Sequence, residues 1–173
     1  MANLQFIKSA SGSGVSSVSV TDCFSDDYDI YFVISDVQNV SSTFQNVSFR
    51  YINASGIVTT STYDSAHADL DTATAFGDAG YVNDTDHEAW QISDDTRDGT
   101  VGTAYIYNPY DSSKYTFHSR QNQGSTSGEY RGRKGIGVEK TQQRITGMNF
   151  SSRVSGQTAD FLIKVYGVKW WVV

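Results

Sequence analysis

The side chains able to do chemistry are few and far apart. His67, His87 and His118 are the only histidines and Cys23 is the only cysteine. Covalent catalysis needs a nucleophile, a base in hydrogen-bond reach and a third group to orient that base. There is no G-x-S-x-G elbow, and a lone cysteine such as Cys23 reads as a small buried apolar residue. Zinc ligand spacings such as H-E-x-x-H or C-x-x-C do not occur, so Asp86-His87-Glu88 reads as part of a solvated acidic loop. Calcium needs several convergent oxygens. "NDTDHE" and "ADLD" crowd acids together without the EF-hand pattern, so calcium is expected to be dispensable. Two carboxyls facing each other across a sugar bond could hydrolyse it, but 19 acids supply such a pair in any fold and the signal has no specificity. The chain is therefore expected to be no enzyme, with no cofactor and no metal. Tyr105, Tyr107, Tyr110 and Tyr115 gather around one expected hairpin and could stack on sugars, although half-buried strand tyrosines are the plainer reading. "YRGRKG", Tyr130 to Gly135, has a loose single-strand-binding look, but the glycines Gly132, Gly135 and Gly137 make no phosphate fingerprint. That stretch reads as a mobile glycine-rich loop.

The elements that would position these residues are strands. Apolar residues do not recur at helical spacing over any long window. In "DYDIYFVISDV", Tyr28, Ile30, Phe32 and Ile34 fall on one face and Asp29, Tyr31, Val33 and Ser35 on the other. In "NVSFRYI", Val47, Phe49 and Tyr51 alternate with Ser48, Arg50 and Ile52. Further runs surround Ile106 and Phe117, followed by "RITGMNF" and "DFLIKVYG", the last with Phe161, Ile163 and Val165 inward. "NASG" and "VSGQ" mark connections, and "NPYDSSK" a hairpin turn. The stretch "SASGSGVSSVSV" reads as a loop entering an edge strand. Gly167 is expected to break the last strand. At least six short alternating strands in one chain of 173 residues predict a single all-β domain, an antiparallel β-sandwich of jelly-roll-like form.

Two segments stand apart. From 64 to 98 there are ten acids and one base; from 119 to 144 there are six bases and two acids. Both are expected as loop excursions from the single domain spanning 1–173. Such a charge split would let copies meet head to tail.

The formal charge of −6 argues against a nucleic-acid or anionic-membrane partner. No apolar run reaches the length of a membrane span. The start carries no stretch of secretory length, and one cysteine forbids an internal disulfide. A reducing compartment is expected, and the five N-x-[ST] sequons are read as chance.

The stretches "FSDDYDIYFVISDV", "SFRYINASG", "YIYNPYDSSK", "RITGMNF" and "SGQTADFLIKVYGVK", in this order, resemble small β-sandwich virion proteins of tailed bacteriophages, above all those of marine and cyanobacterial hosts. They cover about half of the chain, from Phe24 to Lys169. The acidic segment and the terminal "WWVV" fall outside the pattern. The resemblance implies a non-enzymatic structural role in a virion assembled in bacterial cytoplasm, with a capsid decoration protein on the head surface as the first expectation. The alternative is a tail or fibre-tip protein that binds a host surface glycan; a free carbohydrate-binding module would normally carry a secretion signal. The expected partners are further copies, as a homotrimer, and other virion proteins such as the major capsid protein. Trp170 and Trp171 are adjacent, so in an extended chain they point to opposite sides. One of them therefore needs a second apolar surface. Trp170, Trp171, Val172 and Val173 are accordingly expected to form an oligomer or capsid interface.

Overall fold

The computed structural model describes residues 3–39, 45–72, 75–93, 99–126 and 129–169. The interface expected at Trp170, Trp171, Val172 and Val173 lies outside the described residues.

Among the described residues there are thirteen strands: β1 (Asn3–Val15), β2 (Ser17–Val20), β3 (Ile30–Asn39), β4 (Gln45–Asn53), β5 (Gly56–Ile57), β6 (Tyr63–Asp71), β7 (Ala75–Asp84), β8 (His87–Ser93), β9 (Thr100–Tyr107), β10 (Thr116–Thr126), β11 (Glu129–Glu139), β12 (Gly147–Ser152) and β13 (Ala159–Lys169). The larger sheet has eight strands in the order β1-β13-β3-β9-β10-β11-β6-β7. The smaller runs β2-β12-β4-β5, with β8 also paired to β4. Every pairing is antiparallel.

With β5–β7 and β10–β11 set aside, eight strands remain. They pair first with last (β1–β13), second with second-last (β2–β12), third with third-last (β3–β9), and the middle two together (β4–β8). That is the winding of a jelly roll, and it places β1-β13-β3-β9 in one sheet and β2-β12-β4-β8 in the other. The fold is thus an all-β, antiparallel, jelly-roll sandwich.

The core forms where the alternating faces of the two sheets meet. Tyr31, Val33, Ile106, Phe161, Ile163 and Val165 from the larger sheet oppose Val47, Phe49, Tyr51, Met148 and Phe150 from the smaller, all buried. In β3 the inward set is Tyr31, Val33, Ser35 and Val37, so Phe32 and Ile34 point out. Tyr31 also pins the crossing loop before β3: its hydroxyl donates to the Ser25 carbonyl (2.9 Å) and accepts from the Ser25 N–H (2.7 Å).

Several expectations need correction. "SASGSGVSSVSV" is not a loop. It is the latter part of edge strand β1 followed by β2, the chain passing from one sheet to the other between Val15 and Ser17. Gly167 does not break the last strand, since β13 runs on to Lys169. The Tyr28 ring lies against the backbone there, and a Cβ on residue 167 would fall 2.6 Å from it. The glycine records a close approach rather than a bend.

The two charged excursions are not separate loops either. β6 and β7 come from the acidic one, β10 and β11 from the basic one. β11 pairs with β6, and together the four strands widen the larger sheet beyond β9. The glycine-rich "YRGRKG" is the first half of β11, in register with β10 on one side and β6 on the other.

Candidate functional site

Opposite charge holds this sheet extension together. Arg133 donates from Nε and Nη2 to the two carboxylate oxygens of Asp69 (2.5 and 2.6 Å), and Arg131 donates from Nε to Asp71 (2.9 Å). Lys140 and Asp64 close the end of the pair at 2.8 Å. The basic and acidic segments thus meet within one copy of the chain. The register of β11 on β6 spends on an intramolecular contact the charge split that could have joined copies head to tail.

The three histidines also sit on inward faces. The His87 and His118 rings are 4.3 Å apart, in contact with Phe49, and Tyr51 and Tyr63 also pack against His87. Both rings are buried, and burial holds both well below the ordinary imidazole pKa. The remaining charge felt by both is that of Arg120, which pushes the same way. Gly137 makes the room: a Cβ there would collide with the His118 ring and lie 2.9 Å from His87 Nδ1. His67 stacks on Tyr81, and burial, then the Arg133 charge, push its pKa down to about 4. Arg120, buried beside them, is brought down to about 9 by burial and by Arg133.

Asp86 and His87 part company rather than sharing a ligand set. Asp86 pairs with Arg50 at 3.0 Å, whereas His87 enters the core. Among the described residues no three His, Cys, Asp or Glu side chains converge as a metal site would require. Cys23 is buried and its thiol is pushed up to about 12, chiefly by burial, which keeps it protonated and unreactive.

The outward face of the larger sheet is the distinctive surface. Strand registers align Phe6, Tyr166, Phe32 and Tyr105 in one row across β1, β13, β3 and β9. Their ring centroids are spaced 5.6, 6.4 and 5.0 Å, with neighbouring planes turned 70°, 44° and 44°. The row continues through Ser119 and Ile136 to Ala66. A second row beside it holds Ile30, Tyr107, Phe117 and Val138. A trough of about 570 Å³ lies where Phe117, Ile136 and Val82 rise around the small residues Ala66 and Gly80. On the other side runs a polar row: Lys164, Ile34, Thr103, Gln121, Lys134, Ala68 and Asp78.

The four tyrosines expected to gather do so only in part. Tyr105 and Tyr107 share the outward face, and the Tyr107 hydroxyl lies 3.2 Å from Ser119 Oγ. Tyr110 instead packs against the core under the Arg144 guanidinium, 4.6 Å from its ring centre, and Tyr115 is an exposed residue ahead of β10. Sequence reasoning missed Phe6, Phe32 and Tyr166 as neighbours, because only the cross-strand register joins positions so distant in the chain. The available signal was the second face of each alternating strand, which here is apolar too.

The class defined by these features is a jelly roll whose larger sheet is doubled in width and carries an apolar belt on its outside. No protein-family profile and no curated protein sequence matches the chain. Among solved structures the chain is similar to the marine PL-14 alginate lyase of Aplysia kurodai, at 8% identity and a TM-score of 0.39 over 85% of this chain and 72% of that one. It is also similar to the CBM2 module of the evolved Dit of Lactobacillus casei BL23 phage J-1, at 15% identity and a TM-score of 0.24 over 90% and 70%. A third likeness is to Ail, the attachment invasion locus protein of Yersinia pestis, at 9% and 0.21 over 80% and 99%. Likenesses this distant carry no functional argument.

Proposed function

We propose that this chain is a non-enzymatic structural protein of a tailed-bacteriophage virion, assembled in the bacterial cytoplasm as a decoration protein of the head surface. The observation that carries the reading is the apolar belt on the outer face of the larger sheet. Exposed contiguous apolar surface of this extent belongs to proteins that function by docking. The ordered likeness to phage virion proteins supplies the particle. Its partners in this reading are further copies, as a homotrimer, and the major capsid protein. The net charge of −6 speaks against nucleic acid and anionic membrane.

A second reading, a tail or fibre-tip protein holding a host surface glycan, is favoured by one observation: the aromatic row that includes Tyr105, with Tyr107 beside it, on an open sheet face. Antibody labelling of purified virions in negative stain separates the two. Labels spread over the head support decoration, and labels confined to one vertex or to the tail support the glycan reading. Particles that carry no label at all would remove the virion reading altogether.

A further inference from the structure

We infer that the outer face of the eight-stranded sheet is a self-association surface, covered by a second copy of this chain. The inference deepens the homo-oligomer part of the proposed function and rests on that part alone. It needs neither the virion nor the head.

The alternation of the sheet extension is the starting point. In β10, Arg120 and His118 point in while Phe117 points out; in β11, Arg133 points in and Ile136 out; in β6, Asp69 and Asp71 flank an outward Leu70. A slip of one residue would exchange these faces. The registers of β10, β11 and β6 are continuous over their whole paired length, so the inverted pattern is built in. Ile136 is 64% exposed, Leu70 64%, Phe76 67% and Val82 75%, so no described element covers them. Most of the exposed large apolar side chains among the described residues stand on this one face; Ile57, Tyr115 and Val154 are the ones that do not. Strands that turn charge inward and leucine, isoleucine and phenylalanine outward make sense when the outward face is buried in turn.

The occupant follows from charge, shape and size. The row from Phe6 to Ile136 and the stretch from Ile30 to Val138 carry no side chain charged at neutral pH, and the Asp64 that follows Val138 is neutralised by Lys140. Copies of a chain with net charge −6 repel one another, and they approach at least cost through a surface free of that charge. The polar row that flanks the belt carries both signs, Lys164 and Lys134 with Asp78. A face of mixed sign can match another copy of itself, whereas a polyanion or polycation needs one sign. Neighbouring rings of the row are turned 44° to 70° from one another. Tilted rings offer edges and gaps of the kind that interdigitate with other side chains. Eight strands about 4.8 Å apart and about 30 Å long give roughly 1,100 Å² of face. A stable interface needs roughly 800 Å² from each partner.

Light scattering and sedimentation of the full chain test the inference. An oligomer is expected, and the double variant Phe117→Glu with Ile136→Glu should be a monomer with unchanged far-UV circular dichroism. A monomeric full chain, or a folded double variant that keeps the parental mass, overturns the inference. Should the double variant fail to fold, a milder probe decides. Ala66→Cys places a thiol in the trough, and the native Cys23 is buried and silent. It should react about tenfold or more slowly than Ser155→Cys in the exposed turn before β13, because a closed interface must open first. Equal rates overturn the inference, as does a monomer whose trough is shielded only by added oligosaccharide. Virion labelling can fail without affecting any of these results.

Discussion

A denaturation series from about pH 7 to about pH 5 probes the three inward-facing histidines directly. In an unfolded chain each imidazole takes up its proton near pH 6.5. In the fold, burial holds His87 and His118 well below that value, and His67 at about 4. A group whose folded pKa is depressed binds protons in the unfolded state first. Stability is therefore complete above about pH 6.5 and falls as the pH drops below it. A histidine that stays neutral in the fold removes about 1.4 kcal/mol per pH unit, so three that stay neutral remove at most about 6 kcal/mol by pH 5. That is comparable with the entire folding free energy of many domains, roughly 5–15 kcal/mol. Asp86, raised by burial against the pull of Arg153 and Arg50, works the other way, but it is one group against three. Asp64, held low by Lys140, and Asp69, held low by Arg133 against its own burial, lose their contribution only at lower pH. Urea titrations at constant ionic strength would measure the slope. His118→Phe, which puts a ring that cannot be protonated in the same place, should cut it by about one third, one proton in three. A folding free energy that changes by less than about 1 kcal/mol between pH 7 and pH 5 would refute the neutral burial of these rings.

Three further outcomes are expected. Gly137→Ala should lower stability by about 1–3 kcal/mol in the same titration, because the new methyl meets two buried imidazoles that have no space to yield. Asp69→Ala should lower it by about 3 kcal/mol, since the Arg133 guanidinium loses both oxygens of its carboxylate partner; Asp69→Asn should recover part of that loss. Deleting Trp170 to Val173 should leave a β-rich chain by circular dichroism that binds phage heads less tightly in a pull-down. A deleted form that binds as the full chain does would show that this segment is no capsid contact.

The strand content was legible from residue types alone. Alternation of β-branched and aromatic residues around Val33, Phe49, Ile106 and Ile163 required half-buried strands, and "NPYDSSK" and "NASG" required turns. The charged segments were misread for a physical reason. Alternation of charged with apolar residues in "ADLD" and "YRGRKGIGVE" is a strand signal only if the charges have partners. Those partners, Asp69 for Arg133 and Asp71 for Arg131, lie more than fifty residues away in sequence.

What the sequence determined by itself was thus the local code: extended backbone, turn positions, and an acidic and a basic segment. Only the tertiary structure decided which face of each strand is covered and which distant strands lie side by side. Period-2 alternation offers two faces and does not label them. In β3 the covered face is that of Tyr31 and Val33, not that of Phe32 and Ile34, because the smaller sheet packs on the former. Antiparallel pairing likewise carries no record in either strand of the partner it will meet. Phe6 and Tyr105 are separated by most of a hundred residues, and the winding of the jelly roll puts them in one row by folding β1 onto β13 and β3 onto β9.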